Sequence, residues 1–280
     1  MKIIAGCFAI YTCLTWLSKY SLGQFLDNNC GYTVPLPPQS RVYGGRNAII
    51  GSSPWMAYLI YNSAFHCGGT LITRKYILTA AHCIANNLKV RLGEYDTKTE
   101  IDCTRDGCIP KYKEYDVSRA IIHANYSYQL GSSHDIGLLK LAGTVSYEIH
   151  IRPVCILLNP ARAAYNPTFV ATGWGKTDIN TIATVLQVAT LRKLNSSECN
   201  SVLRTSLTWG QFCAGHNHAD TCEGDSGGPL VQMLFNGYIR RTVQFGIVSY
   251  GHYLCRGPGV YTDVMAFTEW IRKGILLNGN

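Results

Sequence analysis

The chain has 280 residues and 31.0 kDa, enough for one large domain or two lobes sharing a core. At 47% apolar and only 15% charged residues it is neither disordered nor collagen-like, and no apolar run reaches the 18 or so residues of a membrane span. The 25 Lys and Arg outweigh 17 Asp and Glu by +8 without forming a basic run, which describes a solvated cationic surface with neither nucleic acid nor membrane as partner.

Lys2 is followed by uncharged residues from Ile3 to Leu17 and then by small residues at Ser21 and Gly23. This layout predicts a secretory signal peptide over 1–23 and an extracellular product. Its removal takes Cys7 and Cys13 and leaves ten of the 12 cysteines, an even number that suits five bridges in an exported protein. Spacing alone does not fix their connectivity. Sequons at Asn125 and Asn195 are compatible with export and mark candidate glycosylation sites. Residues 24–41 hold Cys30 and the stretch Pro35-Leu36-Pro37-Pro38, which favours an extended, exposed segment. The segment ends on Arg41, before Val42-Tyr43-Gly44-Gly45. On these residues alone the junction reads either as an accessible proteolytic site or as a plain linker.

From Trp55 onward, short apolar runs alternate with turn signals. Trp55 to Tyr61, Thr70 to Ile72, Lys89 to Leu92, Ile136 to Leu141, Thr168 to Thr172 and Val243 to Val248 are of strand length and rich in β-branched and aromatic residues. The prediction is an all-β antiparallel architecture. A closing helix is expected where Val264, Phe267, Ile271 and Ile275 recur at spacings of three and four.

Gly224-Asp225-Ser226-Gly227-Gly228-Pro229 sets a serine among glycines, which lets the backbone turn sharply and expose the hydroxyl. The run also fits the nucleophile elbow of α/β-hydrolases, but that fold needs an acid and then a histidine after the serine. Only His252 follows Ser226, with no Asp or Glu between them. The base must then lie upstream. His82, in Thr79-Ala80-Ala81-His82-Cys83, and Asp135, at the mouth of the apolar run Ile136 to Leu141, are the best candidates. A neutral imidazole can take the serine proton, and a buried carboxylate on its other nitrogen would hold the tautomer.

With these motifs the chain from Cys30 onward resembles the trypsin-like, chymotrypsin-fold serine proteases, whose triad runs in the order His82, Asp135, Ser226. The resemblance implies two packed six-stranded antiparallel β-barrels with a C-terminal helix. It makes Ser226 the nucleophile, His82 the proton shuttle and Asp135 its orienting acid, with the Gly224 and Ser226 N–H groups as the oxyanion hole. It turns Arg41-Val42 into an activation junction whose new Val42 amine would pair with Asp225, so that 24–41 is a pro-segment and 42–280 the protease domain. Asp220 becomes the floor of a primary pocket for Arg or Lys, with Ser249, Tyr250, Gly251 and Gly259 along the substrate. Tyr250 stands where the family usually has Trp, and Glu223 where it usually has a neutral residue; both alter subsite preference.

The family pattern further implies the pairs Cys67–Cys83, Cys199–Cys213, Cys222–Cys255 and Cys30–Cys155, leaving Cys103 with Cys108. That small extra loop resembles the one in arthropod clip-domain proteases of haemolymph cascades, although Cys30 is the one cysteine present upstream of the junction in the exported portion. The implied partners are protein substrates with Arg or Lys at the cut, a trypsin-like activator and serpin-type inhibitors, the enzyme itself being a monomer. No cofactor is expected. Glu94, Asp96, Asp102 and Glu114 could gather a calcium ion, but a solvated acidic loop is the plainer reading. Two rival functions stand beside the enzyme: a non-catalytic protease homologue acting by binding, and a membrane-anchored or intracellular hydrolase.

Overall fold

Turn residues break the sequence often enough that strands, not helices, carry the regular structure. The computed structural model describes residues 25–33, 46–105, 107–128, 132–159, 166–176, 181–215, 224–236, 239–252 and 257–279. The leader at 1–23, Arg41, Val42, Asp220, Glu223, Cys222 and Cys255 lie outside the described residues.

The first half of the chain gives β1 (Arg46–Asn47), β2 (Met56–Tyr61), β3 (Ala64–Thr73), β4 (Tyr76–Thr79), β5 (Lys89–Leu92), β6 (Asp102–Thr104), β7 (Gly107–Ile109), β8 (Lys113–Ile122) and β9 (Gly137–Leu141). Six of these close into an antiparallel barrel in the order β2-β3-β4-β9-β8-β5, while β6 and β7 form a separate hairpin. The second half gives β10 (Thr168–Gly173), β11 (Gln187–Leu194), β12 (Gln211–Gly215), β13 (Pro229–Asn236), β14 (Ile239–Tyr250) and β15 (Gly259–Asp263). They run in the order β11-β10-β13-β14-β15-β12, and a pairing between β11 and β12 closes this ring as well, with β1 attached outside β11. Closure leaves neither ring with an open edge. The all-β, two-barrel architecture expected from the sequence is the one found.

Each barrel is filled from within. Leu59, Leu71, Ile77, Leu78, Val90 and Leu138 are fully buried in the first, and Leu191, Leu230, Val243 and Tyr261 in the second. Phe169, Phe212 and Phe245 pack together in the second core, each worth roughly 1.5–3 kcal/mol of burial. At the seam between barrels the contacts turn polar. Thr70 Oγ1 donates to Gln244 Oε1 (2.7 Å), and Thr262 Oγ1 donates to the Asp135 carbonyl (2.8 Å). Leaving such a buried group unpaired costs about 1–3 kcal/mol, so these bonds fix how one barrel sits on the other.

Two helices complete the fold among the described residues, α1 (Ser196–Leu203) and α2 (Thr268–Asn278). The first was not anticipated, although its signal is present: Asn195 and Glu198 form a reciprocal capping box. The second starts later than the periodicity predicts. Val264 and Phe267 are buried in the turn that leads into it, whereas Ile271 and Ile275 lie on its buried face.

Among the described residues, four disulfides join Cys30 to Cys155, Cys67 to Cys83, Cys103 to Cys108 and Cys199 to Cys213. The first spans 125 positions and holds residues 25–33 against the second barrel. There Leu26 N donates to the Ile156 carbonyl (3.0 Å), Gly31 N to that of Pro153 (2.8 Å), and Tyr147 Oη to Asp27 Oδ2 (2.5 Å).

Candidate active site

His82 lies in a single 3-10 turn, Ala81–Cys83, directly after β4. Buried Ala80 and Ala81 leave no room for it to slide, and Cys83 ties the turn to Cys67 on β3. Asp135 lies two residues ahead of β9, the strand beside β4, and is completely buried. Its two carboxylate oxygens are engaged in complementary ways. The His82 backbone N–H donates to Oδ1 (3.1 Å), and His82 Nδ1 lies 2.7 Å from Oδ2. Ser249 Oγ on β14 also donates to Oδ2, at 2.6 Å. A carboxylate so placed fixes the imidazole with Nδ1 protonated and Nε2 free to accept a proton. The His82 side chain keeps 28% of its surface open, against 0% for Asp135, so the pair has one buried end and one accessible end.

The turn carrying Ser226 comes from the second barrel. Gly224 and Gly227 sit at φ +96° and +77°, a region that side-chain-bearing residues rarely adopt. Space reinforces the point at Gly227, where a Cβ would fall 2.2 Å from Thr79 Oγ1 and 3.2 Å from Cys83 Sγ. The turn is therefore pressed against the two residues that flank the His82 segment. It is pinned there by Gly68 N, which donates to the Ser226 carbonyl (2.8 Å), and by Gly227 N, which donates to that of Val248 (2.9 Å). Among the described residues no hydrogen bond joins the Ser226 hydroxyl to the imidazole.

Asp225 packs its carboxylate against the backbone of Gly173 and Gly175. Gly175 N donates to its Oδ1 (2.8 Å). A Cβ on Gly173 would fall 2.1 Å from that oxygen, and one on Gly175 about 2.5 Å from the carboxyl carbon. This cradle of glycines was missed by sequence reasoning. Its signal, Gly173-Trp174-Gly175, lies fifty positions upstream and is uninformative without the fold.

Of the residues read as substrate-binding, Ser249 is buried with its hydroxyl committed to Asp135, Tyr250 is half-buried and Gly251 exposed. Gly259 is buried, and a Cβ there would come within 3.0 Å of the Tyr261 hydroxyl. Burial pushes the Tyr250 phenol up, and burial together with the Asp135 charge pushes Tyr126 up to about 12. Asn125 and Asn195 are both exposed.

The acids considered for calcium are engaged by neighbouring protein groups. Arg91 donates from Nη1 to Glu94 Oε2 (2.8 Å) and from Nη2 to Glu114 Oε1 (3.3 Å), Tyr95 N donates to Glu94 Oε1 (3.0 Å), and Asp102 accepts from Thr99 Oγ1. A guanidinium thus pairs with two of the four acids, Glu94 and Glu114, while Asp102 lies near enough to Glu94 for its charge to raise the Glu94 pKa. Among the described residues one group of three His, Cys, Asp or Glu ligand atoms comes together, Cys67, His82 and Cys83, and its two sulfurs are in a disulfide.

A family model described as Trypsin matches residues 42–271. The chain is similar to CLIP domain-containing serine protease B9 of Anopheles gambiae, 37% identical over 273 residues that cover 89% of this chain and 65% of that protein. It is likewise similar to phenoloxidase-activating enzyme 1 of Spodoptera litura, 37% identical over 266 residues covering 89% and 70%. It thus spans about two thirds of the length of these curated relatives. In three dimensions it resembles the crystal structure of the Drosophila Grass clip serine protease of the Toll pathway, with a TM-score of 0.77, 33% identity and coverage of 96% of this chain and 78% of that one. Barrel architecture, family match and relatives agree: the chain belongs to the trypsin family of serine proteases.

Proposed function

We propose that the chain is the precursor of an exported endopeptidase that cuts after Arg or Lys by a His82, Asp135, Ser226 triad. The observation that carries this reading is the Asp135 carboxylate, wholly buried and offering its oxygens to both the ring and the backbone of His82. In this mechanism His82 Nε2 takes the Ser226 proton as Oγ attacks the scissile carbonyl. Asp135 stabilises the imidazolium that forms, and the Gly224 and Ser226 N–H groups receive the oxyanion. The same proton then passes to the leaving amine, and water repeats the sequence on the acyl-enzyme.

Residues 1–23 act as leader, 24–41 as pro-segment and 42–280 as protease. Cleavage after Arg41 frees the Val42 amine to pair with Asp225. Its carboxylate already faces a glycine-lined cradle. Asp220 binds the substrate Arg or Lys. Similarity to proteases named for clip domains, phenoloxidase activation and the Toll pathway supports a place in an extracellular cascade. Its partners there are an upstream trypsin-like activator, protein substrates and serpin-type inhibitors.

The test is to cut the protein after Arg41 and expose it to a serine-directed fluorophosphonate and a small Arg ester. Labelling and turnover, both abolished by Ser226→Ala, are expected; a non-catalytic homologue would stay unlabelled. Asp220→Ser should depress Arg and Lys substrates far more than apolar ones, and an equal loss would refute the pocket assignment.

A further inference from the structure

Arg91 joins two parts of the molecule that the reaction does not otherwise connect. It lies on β5, half-buried, with its two terminal nitrogens on Glu94 and Glu114. The guanidinium carbon lies over the Tyr112 ring, 3.7 Å from its centroid, and 5.7 Å from that of Tyr58. Tyr58 in turn stacks on Phe65 (4.4 Å between centroids) and meets Trp174 edge-on (5.3 Å). Both of these rings border the catalytic turn. Phe65 fits so closely against Gly224 that a Cβ there would stand 3.1 Å from its Cε1, and Trp174 immediately precedes Gly175, whose N–H holds Asp225. A second route closes the circuit: Tyr95 N donates to Glu94 Oε1 (3.0 Å), and Trp174 Nε1 donates to the Tyr95 carbonyl (3.2 Å).

We propose that Arg91 is a positioning residue for the turn carrying Gly224 and Ser226, acting through Tyr58, Phe65 and Trp174. The inference rests on the protease reading above. Arginine suits the task because its planar fork can face a ring while its edge binds carboxylates, which an ammonium cannot do in the same way. Burial works against its charge, and the bonds to Glu94 and Glu114 more than restore it. The acid-rich loop thereby holds one side of the aromatic stack, and the oxyanion turn leans on the other.

Contact does not by itself establish coupling, so the test is a double-mutant cycle on the protein cut after Arg41. Fluorophosphonate titration counts competent sites, and kcat is expressed per titrated site, so loss of folded protein does not enter. Arg91→Met and Tyr58→Leu should each lower kcat about tenfold with KM within about twofold, and the double variant should be no worse than about twofold below either single one. Arg91→Lys, which keeps the charge without the plane, should recover only part of the loss. Additive losses, or an unchanged kcat per site in Arg91→Met, would overturn the proposal. If Arg91→Met does not fold, Arg91→Lys decides: a loss of about threefold in kcat at constant KM supports the role, and wild-type kcat refutes it. A wild type that takes no label would overturn the protease reading and this one together, whereas a labelled wild type with indifferent Arg91 variants overturns this one alone.

Discussion

Asp135 and Asp225 meet at the same seam and both accept hydrogen bonds, but their surroundings differ. Asp135 is surrounded by donors: a backbone N–H and a ring nitrogen of His82, and the Ser249 hydroxyl. Asp225 is accommodated by what its neighbours lack, since Gly173 and Gly175 leave open the volume that its carboxylate fills. The first acid is therefore vulnerable to the loss of a neighbouring group and the second to the gain of one. The difference also divides the site by barrel, with a fixed histidine-aspartate pair on one side and a glycine turn seated by exclusion on the other.

The largest expected effect tests the donor side. Asp135→Asn should lower kcat on an Arg ester on the order of 10⁴-fold, because an amide no longer enforces the His82 tautomer; a loss below about a hundredfold would mean that His82 is not the working base. Next, Gly175→Ala should push Asp225 out of its cradle and misplace an oxyanion donor, at a cost of roughly 10²–10³ in kcat. If the alanine variant keeps wild-type activity after cleavage at Arg41, the cradle is not what seats the turn. A smaller change is expected from Ser249→Ala, which removes one of the Asp135 donors without leaving the acid bare. About tenfold in kcat/KM corresponds to the loss of one buried hydrogen bond to a charged group.

The smallest effect lies outside the seam and concerns stability. His150 is 2% exposed with neither ring nitrogen hydrogen-bonded; Glu148 stands 3.8 Å from it, with Lys113 bonded to Glu148, and Glu94 lines the same small cavity. Burial lowers its pKa, with Glu148 pulling the other way. His123, stacked on His134 at 4.7 Å, is lowered as well, by burial and then by that neighbour. The folded protein thus resists a proton that the unfolded chain accepts near pH 6.5. Stability should be full above that pH and fall as pH drops towards the lower folded values. Urea midpoints at descending pH should show the decline, and His150→Leu should flatten it; an equal slope in the variant would assign the effect to other groups.

Much of this arrangement was legible in the sequence because it rests on local chemistry. The glycine run around Ser226, small residues crowding His82 and an acid opening the apolar run at Ile136 each carry their own signal, and chain order excluded the α/β-hydrolase alternative. The barrels were legible for the same reason, as strand-length apolar runs between turns. What escaped is what depends on long-range closure. The bond from Ser249 to Asp135 spans 114 positions, and no local pattern announces it. The cradle for Asp225 consists of absent side chains, which no pattern of polarity records. The shortfall in the closing helix has a physical cause too: Val264 and Phe267 are buried like helix-face residues while their backbone is still turning.

The tether between Cys30 and Cys155 has a consequence for the cut protein. Because the segment at 25–33 is bonded to the second barrel by its disulfide and by backbone pairs, scission after Arg41 should yield a two-chain molecule. It should migrate as one band on a non-reducing gel and separate into a large and a small band once thiol is added. Any module joined upstream of Phe25 would travel with the enzyme as a covalent passenger.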